Sequence, residues 1–157
     1  MSEPQIYVDA DACPVKDEAI RVAMRHRLTI TLVANQGSRP TRDPMIRYVY
    51  VPYGPDAADD WIVEQVADND IVITSDIPLA GRVLELGAQA LAPTGKRFTR
   101  ESIGMALAIR VLKQHLRETG EIRDSHPEFS ARDRSQFLSA LDEAVTRSKR
   151  QAQGAGG

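Results

Sequence analysis

The sequence predicts an α/β fold built on a mainly parallel central sheet, and three observations carry that reading. Short apolar runs alternate with stretches of helical periodicity from one end of the chain to the other. Five such runs, none longer than six residues, are spaced along the chain with helical faces between them. Two of them, "IYVD" and "IVITSD", end in aspartate. In an open α/β sheet the carboxyl ends of the strands form the ligand crevice, so those acids fall where chemistry is done.

Taken in order, "QIYVD" (5 to 9) reads as the first strand, and Val15, Ala19, Val22 and Ala23 make one face of the helix after it. "TITLVA" (29 to 34) and "IRYVYV" (46 to 51) are the second and third strands, and a helix begins near Asp56. "DIVITS" (70 to 75) is the fourth strand, followed by a helical face of Leu79, Val83 and Leu86. "AQAL" (88 to 91) is a fifth short strand.

A longer helix follows Thr99. Ile103, Leu107 and Val111 lie on one stripe of it, while Met105, Ile109, Leu112 and Leu116 lie on another. With most of its girth apolar, this helix is expected to be packed on two sides. Residues 117 to 130 have no sustained period and read as a connection. Ser130 and Asp133 then match a capping box ahead of a last helix with Phe137, Leu141 and Val145 on its apolar stripe. Residues 1–150 read as one domain, and "QAQGAGG" (151 to 157) as a flexible tail.

Composition narrows the function. Of 157 residues, 42% are hydrophobic and 27% charged, the balance of a globular domain. The net charge of −2 supplies no global basic field, so any nucleic-acid contact has to come from a local patch. Cys13 is the single cysteine, which excludes an internal disulfide and a cysteine-cage metal site. No basic segment leads into an apolar run at the start, and no apolar stretch approaches ~18 residues, so a cytoplasmic location is expected.

The chemistry is sought in the acids. Asp9 and Asp11 follow the first strand and Asp76 follows the fourth. If those strands are neighbours, their ends lie ~5 Å apart, close enough for carboxylates to share a divalent cation. A third source is "GPDAADDWIVEQ", where a helix puts Asp56 and Asp60 one turn apart with Asp59 beside them. Oxygen ligands without imidazole or thiolate favour Mg²⁺ or Mn²⁺, and such sites serve phosphoryl transfer or phosphodiester hydrolysis. The local alternative is capping: Asp11 or Cys13 ahead of the first helix, Asp56 ahead of the third segment's helix, Asp76 ahead of Pro78. Independent caps, however, do not require two buried strands to end in aspartate.

The stretches "IYVDADACPVKDEAIR", "LVANQGSR", "GPDAADDWI", "IVITSDIPLAGRVLELGA" and "FSARDRSQF" resemble the YaiI/YqxD family of uncharacterised bacterial proteins, over about residues 6 to 145. That family is grouped by similarity with PIN-like domains, many of them metal-dependent ribonucleases on a three-layer, Rossmann-like sheet. The resemblance implies the strand order 3-2-1-4, with the first and fourth strands adjacent. It also matches Asp9 to the acid ending the first strand and Asp76 to the acid after the fourth. The "DAADD" acids stand where that group places a mid-chain helical acid, with Asp56, Asp59 and Asp60 all offered for one position.

The expected function is a Mg²⁺ or Mn²⁺ dependent phosphodiesterase acting on nucleic acid, RNA ahead of DNA by family analogy. Asp9, Asp11 and Asp76 would be catalytic, and Asp9, Asp11, Asp56, Asp59, Asp60 and Asp76 the candidate metal ligands. Substrate contacts are expected from Lys16, Asn35, Arg39, Arg42, Arg132 and Arg134, since arginine forks suit phosphate oxygens. For each of these a solvated side chain, or a turn-forming asparagine, is the plainer reading. Two other functions stand beside this one: a non-catalytic nucleic-acid or protein adaptor retaining a cation site, and a haloacid-dehalogenase-like phosphatase suggested by "VDADACPV". The latter lacks the usual threonine or valine at Cys13 and its later acidic pair. Cys13, with no histidine near it in sequence, reads as a small buried thiol.

Overall fold

The computed structural model describes residues 3–11, 13–35, 43–52, 54, 56–120 and 129–155. Its sheet has five strands, β1 (Ile6–Asp9), β2 (Ile30–Ala34), β3 (Ile46–Tyr50), β4 (Ile71–Ile73) and β5 (Gln89–Leu91). All pairings are parallel and the order is β3-β2-β1-β4-β5. This is a three-layer, Rossmann-like arrangement, and β1 and β4 are indeed neighbours, with Val8 level with Ile73. Among the described residues five helices accompany the sheet: α1 (Lys16–His26), α2 (Ala57–Gln65), α3 (Ile77–Glu85), α4 (Arg100–Glu118) and α5 (Ala131–Ala155).

The pleat divides the core in two. Ile6, Val8, Ile30, Leu32, Ile71 and Ile73 point to one face, where Ala19, Val22 and Ala23 of α1 and Phe137, Leu141 and Val145 of α5 cover them. Tyr7, Val33, Val72 and Ala90 point to the other, under Ala58 and Ile62 of α2 and Leu79 and Val83 of α3. Burial on both faces explains why β1, β2 and β4 read as apolar runs, whereas the edge strand β3 exposes Arg47, Tyr48 and Tyr50. The Ser130–Asp133 capping box forms, with Asp133 N–H donating to Ser130 Oγ at 3.1 Å and Ser130 N–H donating to Asp133 Oδ2 at 2.9 Å.

Three expectations are corrected. Leu86 does not join the apolar face of α3; it sits at the C-cap and is 43% exposed, because the helix ends at Glu85. The last helix runs on to Ala155, past the boundary placed after residue 150. The long helix α4 is not packed on two sides within the chain. Ile103, which approaches Gly81 of α3, is its one buried residue, and Met105, Leu107, Ile109, Val111 and Leu112 are exposed. The connection at 117 to 130 overlaps the end of α4 at Glu118, and residues 121–128 lie outside the described residues.

Gly95 shows how closely the far side is fitted. Its φ of 91° lies in the left-handed region, and a Cβ there would meet the backbone carbonyl of Gln136 at 2.8 Å. Glycine lets the turn after β5 rest directly on α5.

Candidate functional site

Adjacent strand ends build the site. Asp9 closes β1, and because Val8 is level with Ile73, Thr74 comes level with Asp9. The Thr74 hydroxyl donates to Asp9 Oδ2 at 2.9 Å and accepts the Asp76 backbone N–H at 3.0 Å. One buried hydroxyl thus fixes both the carboxylate of β1 and the turn that carries Asp76. On the other flank Asp9 is level with Val33, and just beyond it the Asn35 backbone N–H donates to Asp11 Oδ2 at 2.8 Å. The side-chain oxygen of Asn35 is buried and accepts no hydrogen bond from the described residues. Such an orphan acceptor is a place for a donor or an ion.

Capping and clustering turn out not to exclude each other. Asp76 is the N-cap of α3, with Leu79 N–H donating to its Oδ1 at 2.9 Å, and the same residue lines a cleft with Asp9. Asp56 occupies the N-cap of α2 but makes no capping hydrogen bond. Neither Asp11 nor Cys13 caps α1, whose N-cap is Val15.

The three acids of α2 separate by what they face. Asp60 pairs with Arg82 of α3 at 2.9 Å. Asp59 lies within the field of the strand-end acids: burial first, then Asp76, Asp9 and Asp56, push its carboxyl up to about 6, while Arg82 opposes them weakly. Asp9 is likewise raised, chiefly by burial and then by Asp76 and Asp11, against the Thr74 hydrogen bond. Mutual repulsion among carboxylates marks a region that is short of positive charge. Among the described residues no group of three or more acids, imidazoles or thiols converges closely enough to hold an ion in this arrangement, so the three-loop convergence expected from the sequence is electrostatic rather than a closed ligand cage.

The cleft at these strand ends has a volume of about 390 Å³ and is lined by Asp9, Ser75, Asp76, Ile77 and Arg110. Arg110 escaped the sequence reading. It sits mid-way along α4 with no turn, glycine or neighbouring motif to mark it, and only the packing of α4 beside α3 brings it to the acids.

The other candidates fall elsewhere. Arg39 and Arg42 lie outside the described residues. Arg134 is occupied as a tie between helices, donating to the Pro14 carbonyl at 2.7 Å and to Glu18 at 3.1 Å while stacking over Phe129 at 4.9 Å. Arg132 is exposed on the first turn of α5. Lys16 opens α1, exposed, and its charge is felt at Cys13. Cys13 itself is buried, and burial raises its thiol, the reverse of what an activated nucleophile requires. Trp61 packs edge-on against Tyr7, ring centroids 6.3 Å apart, as a core anchor.

Fold and site together define an α/β domain with a parallel sheet and an acid-lined crevice at the carboxyl ends of β1 and β4. The chain belongs to the uncharacterised YaiI/YqxD family, whose model matches residues 7–147. It is 57% identical to the UPF0178 protein mlr0875 of Mesorhizobium japonicum over 97% of this chain and 98% of that one. A UPF0178 protein of Parvibaculum lavamentivorans is 59% identical over 90% of this chain and 93% of its own length. Atu1478 of Agrobacterium fabrum is 58% identical over 94% and 96%. No solved structure matches the chain. Among the described residues, no helix is long and apolar enough to cross a membrane.

Proposed function

We propose that the chain is a Mg²⁺ or Mn²⁺ dependent phosphodiesterase acting on nucleic acid, with RNA ahead of DNA on the analogy with PIN-like ribonucleases. The observation that carries this reading is the Thr74 hydroxyl, which ties the Asp9 carboxylate and the turn of Asp76 together at one cleft, with the Asp59 carboxyl raised by burial and by these same acids. Four carboxylates from three segments repel one another, and a divalent cation removes that repulsion. The donor set fits a hard ion: oxygen alone, with the orphan Asn35 oxygen beside Asp11 as a further acceptor. Asp9, Asp76 and Asp59 would have to draw closer together to hold the ion, because among the described residues no three acids converge on one point as they stand, and Asp11 would reach it directly or through water. Once bound, the ion supplies charge neutralisation at phosphate and lowers the pKa of water.

The chain's own residues do the rest. Thr74 holds Asp9 in one orientation, and the α3 cap holds Asp76. Arg110, which lines the same cleft, would take a phosphate oxygen in its guanidinium fork. Asn35, Arg39, Arg42, Arg132 and Lys16 are further proposed contacts along the strand.

The test is turnover. Labelled RNA and DNA incubated with Mn²⁺ should be cleaved by wild type, with chelator or Asp9→Asn abolishing cleavage. Binding without cleavage at high protein would instead favour the adaptor. The absence of binding, cleavage and any metal response would overturn the reading.

A further inference from the structure

The exposed face of α4 is the feature that the proposed chemistry does not use. Met105 is 67%, Ile109 44% and Leu112 56% exposed, and Leu116 completes their stripe. Their spacing is four, three, four, which is the alternation of a heptad seam over two heptads. Small residues flank it, Ala106 on one side and Ala108 on the other, so a facing backbone can approach. Ile103 and Arg110 belong to other sides of the helix, where Ile103 meets α3 and Arg110 lines the acid cleft. The seam therefore faces away from the body of the domain.

We propose that this seam is a homodimer interface in which α4 pairs antiparallel with α4 of a second copy. The spacing reads the same in both directions, so a two-fold axis across the helices sets Met105 against Leu116 of the second copy and Ile109 against Leu112. Self-complementarity of this kind is what an isologous interface needs. Antiparallel packing also opposes the two helix dipoles. Lys113 then falls beside Ala106 and His115 beside Ala108 of the other copy, so no like charges meet along the rim.

The area agrees with the same occupant. The four seam residues expose roughly 350 Å², mostly apolar, which is more than half of the ~500 Å² of apolar area contained in a standard interface of ~800 Å² per partner. The chain has little of its own to put there. Residues 36–42 and 121–128, the two longest segments outside the described residues, contain a single large apolar side chain, Ile122.

Sedimentation velocity from micromolar to several hundred micromolar protein tests the pairing. Wild type should sediment as a dimer, and Ile109→Glu with Leu112→Glu should sediment as a monomer with an unchanged far-UV spectrum, since both side chains are exposed in the single chain. Leu112→Met should remain dimeric. A wild type that stays monomeric throughout, or a dimer indifferent to the double substitution, overturns the proposal. Orientation is read with a spin label on Arg100→Cys in a Cys13→Ala background. The antiparallel register separates the two labels by about 30 Å, 21 residues at 1.5 Å, whereas parallel helices bring them within ~15 Å and refute it.

Discussion

Asp70 enters β4 at the amino end of the sheet, and Asp9 leaves β1 at the carboxyl end. Both are raised by burial, yet they are built differently. Asp70 is 5% exposed, and each of its oxygens has a backbone donor: Gln5 N–H at 2.9 Å and Ala67 N–H at 2.8 Å. Those amides lower its carboxyl against the burial that raises it, and they stitch the approach to β1 to the turn before β4. At the other end Asp9 has the Thr74 hydroxyl, and the further influences on it are the like charges of Asp76 and Asp11. A buried acid surrounded by amides is architecture; one surrounded by acids carries repulsion that the fold leaves unrelieved. The difference is legible only from partners, because both are aspartates at strand termini.

Removing the architectural acid should have the largest effect. Asp70→Ala removes a buried carboxylate and strands two part-buried amides, and should cost about 3 kcal/mol, lowering Tm by roughly 10 °C by calorimetry, with or without metal. A loss under 1 kcal/mol would erase the contrast between the two ends.

Next in size is the metal response. At a Mn²⁺ concentration 100 times its Kd, wild type should gain ~2.7 kcal/mol, seen as roughly 5 to 10 °C in a thermal melt. Asp9→Asn and Asp76→Asn should lose most of that gain, and asparagine at position 76 preserves the α3 cap, which separates ligation from capping. Equal responses in all three proteins would return Asp76 to the role of a cap alone.

A smaller effect, of the opposite sign to Asp70→Ala, is expected at Asp59. Its folded pKa of about 6 stands above the unfolded 3.8, so the folded state binds the proton more tightly. Stability should therefore fall as pH rises from about 4 to 6, and the penalty is complete above that. In chelator at pH 8, Asp59→Asn should gain ~1 kcal/mol after allowance for solvent screening, and the gain should vanish by pH 4. A stabilisation independent of pH would show that repulsion is not its cause.

Arg110→Ala should move least in stability, leaving Tm within about 1 °C. Its effect should appear in the salt dependence of single-stranded nucleic-acid binding, whose slope should drop by ~1 for one lost phosphate contact. An unchanged slope would leave Arg110 as a counter-charge for the acids.

The inner strands could be read because burial on both faces leaves mostly apolar residues between turns, and parallel order followed from helices alternating with them. The adjacency of β1 and β4 came from resemblance rather than from any residue. At the site, Asp9 and Asp76 were visible as charges ending apolar runs, and the α2 acids as a cluster. Which of the cluster faces Asp9 was not, since Asp59 and Asp60 differ by 100° of helix rotation that only the Arg82 pairing and the fit of α2 on the sheet resolve. Arg110 was invisible for the same reason: nothing near it in sequence contacts it. The periodicity of α4 reported its apolar stripes correctly, but a stripe states what must be covered, not by which chain.

The placement of α5 has a consequence for synthesis. This last helix is sewn onto α1, more than a hundred residues earlier, by Lys149 to the His26 carbonyl at 2.9 Å, by His26 with Asp142 at 2.6 Å, and by Arg134 with Pro14. Phe137, Leu141 and Val145 also roof one face of the sheet. While the ribosome is still making α5, that face has only α1 over it, and Ile71, Ile73 and Leu91 lack their cover. That face cannot close until α5 has been made; the closing step waits for its synthesis, and the half-roofed sheet is the species that needs shelter from other nascent chains.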